Sequence, residues 1–439
     1  MNNEEILNRI QYSNGVSIDT RTLEKGNIFF ALKGDNFDGN KFVDDALEKG
    51  ADLIICSDKK YIDKKNVLVV EDTMKSLQKL ANLYRQRFKI PLIAITGTNG
   101  KTTTKELLCT ILSGKYNVLC TKGNLNNHIG VPLTLFGLKA KHQIAVIEMG
   151  ASFPGEIDFL CNIAEPNHGT ITSIGTAHIS GFGSFENIIK TKMELFDYLK
   201  KNGGMFFYNK VIKELSEIID KDECSLDFDA SGLNGKTIES IELKKTYPFI
   251  TISLDLSNKS KINVETKLYG KYNFNNIVTS VRIAEYFGVN PDIIKEKLDE
   301  YLPKNNRSQI LDWNSNKVIL DAYNANPTSM LEALKSFVEI DTRREKILVL
   351  GDMLELGDVS MEEHRKIIDF VIKENIFNKI FLIGSEFINA YREYGHKNRI
   401  ICLFENSKDA KEQMLSLNLK KVLILAKGSR GIRIESIFL

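Results

Sequence analysis

A short apolar run, Leu92-Ile-Ala-Ile95, turns through Gly97 and Gly100 directly into Lys101-Thr-Thr-Thr-Lys-Glu106. Four apolar, partly β-branched residues predict a strand buried on both faces. The two glycines let the backbone fold back and present its N–H groups to an anion. Lys101 adds a compact positive charge. Thr102 opens the helix, where its hydroxyl is placed to ligate a magnesium ion and the unpaired N–H groups of the first turn favour phosphate. The usual pattern G-x-x-x-x-G-K-[ST] is incomplete, because Ile95 holds the place of its first glycine. A Gly-Lys-Thr alone is compatible with an ordinary β–α turn; strand before, helix after and three threonines together point to a nucleotide cradle.

A chain of 439 residues exceeds one core and predicts two or three domains. Lysine and arginine number 59 against 57 acidic residues, for a net charge of +2, so no basic face advertises nucleic acid or an anionic membrane. The six cysteines, at 56, 109, 120, 161, 224 and 402, form no C-x-x-C pair and several lie in apolar runs, as small buried hydrophobes do. A reducing cytoplasm is the expectation. The N-terminus lacks a signal-peptide pattern and no apolar run reaches about 18 residues, so no membrane insertion is expected.

Three units emerge along the chain: 1–88, 89–303 and 304–439. The first carries short strands at 27–32, 53–56 and 67–70 and helices at 43–49 and 76–88. Thr20, Arg21 and Asp38 lie between its elements, where a ligand contact and a plain turn are both open readings. The second alternates strands (91–96, 143–148, 169–174, 204–208) with helices (101–113, 155–164, 185–201), which predicts a doubly wound sheet. Ligands bind at the carboxyl ends of such strands, where Glu148 and His178 fall. Read singly, Glu148 is equally a capping residue and His178 a satisfied polar group. The asparagine-rich loop holding Asn124 and Asn127 offers amide donors or simply turns. Residues 244–268 alternate as a β-hairpin, and helices at 275–287 and 291–302 close the unit. A third βα series follows the polar segment near 303–306, with strands at 317–321, 346–350, 379–383, 399–404 and 421–426 and helices at 328–340, 361–374 and 407–417. Loops after these strands carry Asp321-Ala-Tyr-Asn-Ala-Asn-Pro327, Gly351-Asp-Met-Leu-Glu-Leu-Gly357 and Lys427-Gly-Ser-Arg-Gly431.

These residues resemble the Mur ligase family across all three units. Asp19-Thr-Arg21, Phe29-Phe-Ala-Leu32 and Asp38-Gly39 resemble its uridine-nucleotide-binding domain, and Gly97-Thr-Asn-Gly-Lys-Thr-Thr103 its ATP loop. Asn124-Leu-Asn-Asn-His-Ile-Gly-Val-Pro-Leu-Thr134, Asp321-Ala-Tyr-Asn-Ala-Asn-Pro327 and Leu350-Gly-Asp-Met-Leu-Glu-Leu-Gly357 resemble the members that join D-Ala-D-Ala to UDP-N-acetylmuramoyl-tripeptide. The implied fold is three-domain α/β, with a central P-loop doubly wound sheet and a Rossmann-like C-terminal domain.

The resemblance implies ATP bound by Gly97, Thr98, Asn99, Gly100, Lys101, Thr102 and Thr103, with Asn273, Asn276, Arg307, Asp321, Asn324 and Asn326 completing the nucleotide site. It implies two Mg2+ ions held by Thr102, Glu148, His178 and a carbamylated Lys192, with Lys101, His178, Lys192 and Arg307 serving catalysis. A carbamate supplies the hard oxygen ligands that a bare ammonium lacks. Thr20, Arg21, Asp38, Asn124 and Asn127 would bind the UDP-precursor, and Lys427, Ser429 and Arg430 the dipeptide. One departure stands out: Tyr272 replaces the histidine of the family's G-x-H-N-x-x-N pattern. The implied reaction is an ATP-dependent amide ligation through an acyl phosphate, in peptidoglycan precursor synthesis, by a cytoplasmic monomer. A tripeptide-forming ligase, a folate-polyglutamate ligase and a nucleotide switch without ligase activity remain alternatives at this stage.

Overall fold

A computed structural model describes residues 1–177, 179–219, 222–233, 236–304, 306–393 and 398–439. The N-terminal unit contains α1 (Asn3–Tyr12), β1 (Val16–Ser17), β2 (Ile28–Phe30), β3 (Lys33–Gly34), β4 (Phe37–Asp38), α2 (Val43–Glu48), β5 (Leu53–Cys56), β6 (Val67–Val69) and α3 (Thr73–Gln86). Its parallel sheet runs β1-β2-β5-β6, with β3 and β4 forming a separate small hairpin. Helix α1 begins in a capping box, Asn2 and Glu5 satisfying each other's backbone N–H groups, a start signal that the sequence reading passed over. Helix α3 packs on the middle unit: Tyr84 Oη donates to the Leu138 carbonyl at 2.9 Å and Arg85 Nε to that of Ala164 at 3.1 Å. The apolar core is continuous across this junction, from Ile6 and Phe30 to Leu160 and Leu199.

The middle unit comprises β7 (Leu92–Thr96), α4 (Lys101–Ser113), β8 (Val118–Cys120), α5 (Gly130–Leu135), β9 (Ile144–Glu148), α6 (Glu156–Ala164), β10 (His168–Ile171), α7 (Ile179–Phe182), α8 (Phe185–Lys201), β11 (Met205–Asn209), α9 (Lys213–Ile218), β12 (Ser225–Phe228), β13 (Ile238–Lys245), β14 (Thr251–Leu256), β15 (Lys261–Glu265), α10 (Asn273–Tyr286) and α11 (Pro291–Glu300). Six parallel strands run β12-β11-β10-β7-β9-β8. From β7 the chain leaves for one edge and later returns on the other side, so the crevice at the end of β7 is the topological switch point. All five β7 residues are buried. The expected hairpin over 244–268 is in fact a three-stranded antiparallel sheet, β13-β14-β15, because Ile238 and Ile241 extend the alternation upstream. The cysteines also depart from expectation. Cys109 of α4 and Cys120 of β8 form a disulfide, an adjacency created by the crossover and invisible in their spacing of 11 residues. The other four are free, Cys56 and Cys161 among them being buried.

The C-terminal unit holds β16 (Gln309–Trp313), β17 (Asn316–Asp321), α12 (Pro327–Val338), β18 (Lys346–Gly351), α13 (Ser360–Glu374), β19 (Phe377–Ile383), α14 (Ser385–Arg392), β20 (Ile401–Phe404), α15 (Ser407–Ser416) and β21 (Leu423–Lys427). Its sheet runs β16-β17-β21-β18-β19-β20, parallel except for the β16 edge. The carboxyl ends of β17, β18 and β21 carry the three loops singled out in the sequence. Among the described residues, no helix is long and apolar enough to cross a membrane.

Candidate active site

The loop after β7 is built rigidly. Gly97 has φ +141° and a Cβ there would stand 2.3 Å from Thr172 Oγ1; Gly100 has φ +81° and a Cβ would stand 2.3 Å from Asn276 Oδ1. Both positions therefore require glycine. Asn99 N donates to Ser173 Oγ at 2.8 Å, while Thr172 Oγ1 donates to the Asn99 carbonyl at 2.6 Å. Thr98 and Gly175 exchange hydrogen bonds, Thr98 Oγ1 donating to the Gly175 carbonyl at 3.1 Å and accepting from Gly175 N at 3.0 Å. The loop after β10 thus braces the cradle before any ligand arrives.

Lys101 Nζ folds back onto the carbonyls of Gly97 (2.6 Å) and Thr98 (3.0 Å). Burial pushes its pKa down, Arg307 pushes it the same way, and Glu148 opposes both. Thr102 and Thr103 are buried at the start of α4. Thr102 Oγ1 donates to Glu148 Oε1 at 3.1 Å, and Asn126 Nδ2 to the same oxygen at 2.8 Å. Glu148 Oε2 is buried without a hydrogen bond, and Lys105 Nζ lies 3.4 Å from it. The Thr102 hydroxyl beside one carboxylate whose Oε2 has no hydrogen bond offers hard oxygen donors of the kind a divalent cation takes, although no cluster of three acidic, histidine or cysteine ligands forms among the described residues.

Lys192 of α8 is only 3% exposed, with its Nζ 5.2 Å from the Phe182 ring centroid. Burial, then the neighbouring Lys101 charge, lowers its pKa to about 7. Lys101 is the shared electrostatic neighbour of Glu148 and Lys192. His178 lies outside the described residues.

The C-terminal unit closes this crevice. Asn99 and Asn326 exchange side-chain hydrogen bonds at 3.3 and 2.8 Å, and Thr176 N donates to Thr328 Oγ1 at 3.2 Å. Asn326 also caps α12 by accepting from Ser329 N at 2.9 Å. The Arg307 guanidinium lies 3.6 Å from the Tyr323 ring centroid with its Nε buried and unpartnered. Arg430 approaches the same ring at 5.7 Å. Asn273 and Asn276 are buried: Asn276 Nδ2 donates to Asn273 Oδ1 at 2.9 Å, and Asn276 Oδ1 accepts from Thr104 Oγ1 at 3.2 Å. Tyr272, the departure from the family pattern, shares a 2.8 Å hydrogen bond with Ser308 Oγ.

The other expected contacts divide into engaged and open groups. Lys427 Nζ is paired with Asp321 Oδ2 at 2.7 Å and directed at the Asn324 carbonyl, both charged side chains being largely buried. Ser429 Oγ accepts from Leu354 N at 2.9 Å and donates to the Ala325 carbonyl at 3.3 Å. Arg430 is exposed. In the N-terminal unit Thr20 is buried, with its carbonyl accepting from Lys49 Nζ, while Arg21 is exposed and paired with Asp19. Asp38 is spent on the backbone and side-chain N–H groups of Asn40. Asn124 is exposed, and Asn127 Oδ1 accepts from Gly130 N at 2.9 Å. The 350–357 motif is a brace: Asp352 accepts from Glu386 N and Phe387 N, and the Glu355 carbonyl accepts from Ser180 Oγ of the middle unit at 3.2 Å.

Sequence reasoning missed Lys105, Asn126, Thr172, Ser173 and Tyr323. Lys105 was discoverable, since it follows Lys101 by one helical turn and must share its face.

Residues 13–94 match the Mur ligase family catalytic domain, 95–284 the Mur ligase middle domain and 306–430 the Mur ligase glutamate ligase domain. The UDP-N-acetylmuramoyl-tripeptide–D-alanyl-D-alanine ligase of Bacillus subtilis is 33% identical over 96% of this chain and 92% of its own. The chain belongs to the Mur ligase family. Among solved structures, MurF from Acinetobacter baumannii superposes with a TM-score of 0.84 at 29% identity, over 99% of this chain and 97% of that one. MurF from Thermotoga maritima in complex with ADP gives 0.82 at 26%, over 98% and 96%. The family resemblance and the three-domain α/β architecture read from the sequence are borne out at full length.

Proposed function

We propose that this Mur ligase joins D-alanyl-D-alanine to UDP-N-acetylmuramoyl-tripeptide with ATP, through an acyl phosphate, in peptidoglycan precursor synthesis. The observation that carries the reading is the meeting of the phosphate loop with the Asp321–Pro327 loop at Asn99 and Asn326, which brings Lys101 and Arg307 into one crevice. Full-length relatives that bear this activity in their names support it, as does the ADP complex of the Thermotoga maritima neighbour.

On this reading residues 1–88 hold the UDP-precursor, 89–303 the nucleotide, and 304–439 close over ATP and hold the dipeptide. The precursor's terminal carboxylate attacks the γ-phosphorus, ADP leaves, and the dipeptide amine attacks the acyl carbon, releasing phosphate and a proton. Carboxylate and triphosphate repel one another, so positioning and cation neutralisation supply most of the rate. Lys101 exchanges two neutral loop carbonyls for phosphate oxygens. Arg307, stacked on Tyr323 with an unspent Nε, is aimed at the charge that develops on the transferring group. Divalent cations, when bound, neutralise phosphate oxygens; Thr102 and Glu148 are the donors, with His178 and a carbamylated Lys192 proposed beside them. Asn273 and Asn276 act by shaping the loop from behind. Of the three dipeptide candidates, Arg430 meets the carboxylate, while Lys427 and Ser429 hold its loop. Closure keeps water from the acyl phosphate.

The test offers purified protein ATP, magnesium and UDP-muramoyl-tripeptide with D-Ala-D-Ala, single amino acids or glutamate, and weighs the products. A pentapeptide formed only with the dipeptide is the expected result; preferential use of a single amino acid overturns the assignment.

A further inference from the structure

Lys105 has no part in the mechanism above, yet it is among the most buried charged groups in the chain. It lies one turn beyond Lys101 on α4, its side chain 2% exposed, with its Nζ 3.2 Å from the Gly123 carbonyl and 3.4 Å from Glu148 Oε2. Glu148, equally buried, contacts Thr102 at the end of the phosphate loop, and its other oxygen is already taken by Thr102 and Asn126. The only oxygen of Glu148 with capacity left for a cation therefore faces a resident ammonium. Lys101, a second cation, acts on the same carboxylate. A divalent ion entering this place alone meets one carboxylate whose charge is balanced and a further positive group beyond it; the same ion arriving with nucleotide brings its own phosphate charge.

We infer that Lys105 is a positioning residue that neutralises Glu148 and so makes the divalent-cation site conditional on bound nucleotide. The Gly123 contact ties the same ammonium to the start of the asparagine loop, fixing it where it balances the carboxylate. The inference rests on the nucleotide reading proposed above.

Mn2+ serves as the probe, with its free ion counted by electron paramagnetic resonance in titrations of the full chain with and without ADP, and ADP binding followed separately by calorimetry. The wild type is expected to bind Mn2+ at least about tenfold more tightly with ADP than without. Lys105→Met should raise the nucleotide-free affinity about tenfold and so close most of that gap, whereas Lys105→Arg, which keeps the charge, should preserve it. A purely structural lysine would lower the melting temperature of Lys105→Met and leave its nucleotide-free titration on the wild-type curve, which overturns the inference. Weaker Mn2+ binding by Lys105→Met in both titrations overturns it as well, since Lys105 would then orient the carboxylate instead of balancing it. Should Lys105→Met fail to fold, the wild type still decides: equal Mn2+ affinity with and without ADP overturns the inference. Absence of ADP binding to the wild type removes the nucleotide reading and this inference together, and calorimetry separates that outcome from the others.

Discussion

Two sheets in this molecule present a lysine at the carboxyl side of a buried parallel strand, and the two lysines do opposite things. Lys101, after β7, hydrogen-bonds among the described residues only to neutral carbonyls of its own loop, and burial outweighs the Glu148 charge in disfavouring its ammonium. Lys427, ending β21, is matched to Asp321 at 2.7 Å. A cation held by neutral groups in a half-buried crevice gains by meeting an anion; one already paired with a largely buried carboxylate loses by leaving it. Position at a sheet's binding edge thus selects candidates, and the partner already in place tells a ligand site from a strut.

Substituting each lysine by alanine breaks or sharpens this contrast most directly. Lys101→Ala should lower turnover by about a thousandfold, by loss of charge stabilisation at the phosphates, and leave the melting temperature near that of the wild type. Binding of the UDP-tripeptide, read by calorimetry, should persist, because its candidate residues lie in the first unit. Lys427→Ala leaves the largely buried Asp321 without its counter-charge, with the Ser308 N–H still bonded to it, and should cost about 3 kcal/mol of stability, read by denaturant unfolding. Near-native turnover in Lys101→Ala, or an unchanged midpoint in Lys427→Ala, would collapse the distinction.

Lys192 extends the first half of the contrast. A folded pKa of about 7 against the ordinary 10.5 means that, between those values, the folded state binds fewer protons at this site than the unfolded one. Its contribution to stability therefore rises as pH climbs from 7 towards 10.5, and the full penalty for charging it applies below 7. Only the neutral amine captures CO2. With 13C-bicarbonate, a carbamate resonance should strengthen above about pH 7, fade below it and vanish in Lys192→Ala. That variant should be nearly inactive, and acetate or formate should restore part of its turnover by occupying the vacated space. A carbamate signal that survives Lys192→Ala would place the modification elsewhere.

Arg430 tests whether the C-terminal edge has any open cation. Being exposed while Lys427 and Ser429 are engaged, it should carry the dipeptide's carboxylate, a charge-assisted contact of about 1.5–3 kcal/mol. Arg430→Ala should raise the Michaelis constant for D-Ala-D-Ala by roughly ten- to a hundredfold and that for ATP far less. Equal effects on both constants would mean that Arg430 acts through Tyr323 and Arg307 instead.

How much of this was legible follows from range of interaction. The bounds read for helix 101–113 and helix 185–201 match those of α4 and α8, whose N-caps in the structure are Gly100 and Ser184. The strand expected over 169–174 ends at Ile171, since Thr172 and Ser173 turn aside to brace Asn99 across the sheet. Phosphate-loop residues were legible as a motif. The Lys427–Asp321 pair was not, as it joins strands 106 residues apart whose adjacency depends on β21 inserting between β17 and β18. The Cys109–Cys120 bond depends on the α4–β8 crossover and the Arg307–Tyr323 stack on the antiparallel pairing of β16 with β17, neither of which residue spacing shows.

The smallest effect is expected at Asn99 and Asn326, where the two edges touch. Asn326 does two jobs, capping α12 and bonding Asn99, so Asn326→Ala mixes a cap loss of about 1 kcal/mol with loss of the bridge. Asn99→Ala removes the bridge alone, because the backbone bonds of Asn99 to Thr172 and Ser173 remain. Two neutral amide bonds, each open to competition from water once the crevice opens, should couple the residues by about 1 kcal/mol. A double-mutant cycle isolates that term, with unfolding free energy and ADP affinity both measured. If the pair holds the C-terminal unit over the phosphate loop, the coupling should appear in ADP affinity and fall near zero in the unfolding of the middle unit. Coupling of equal size in both readouts would make the pair a structural weld, and the two edges would then be parts of one rigid body instead of a cradle and its cover.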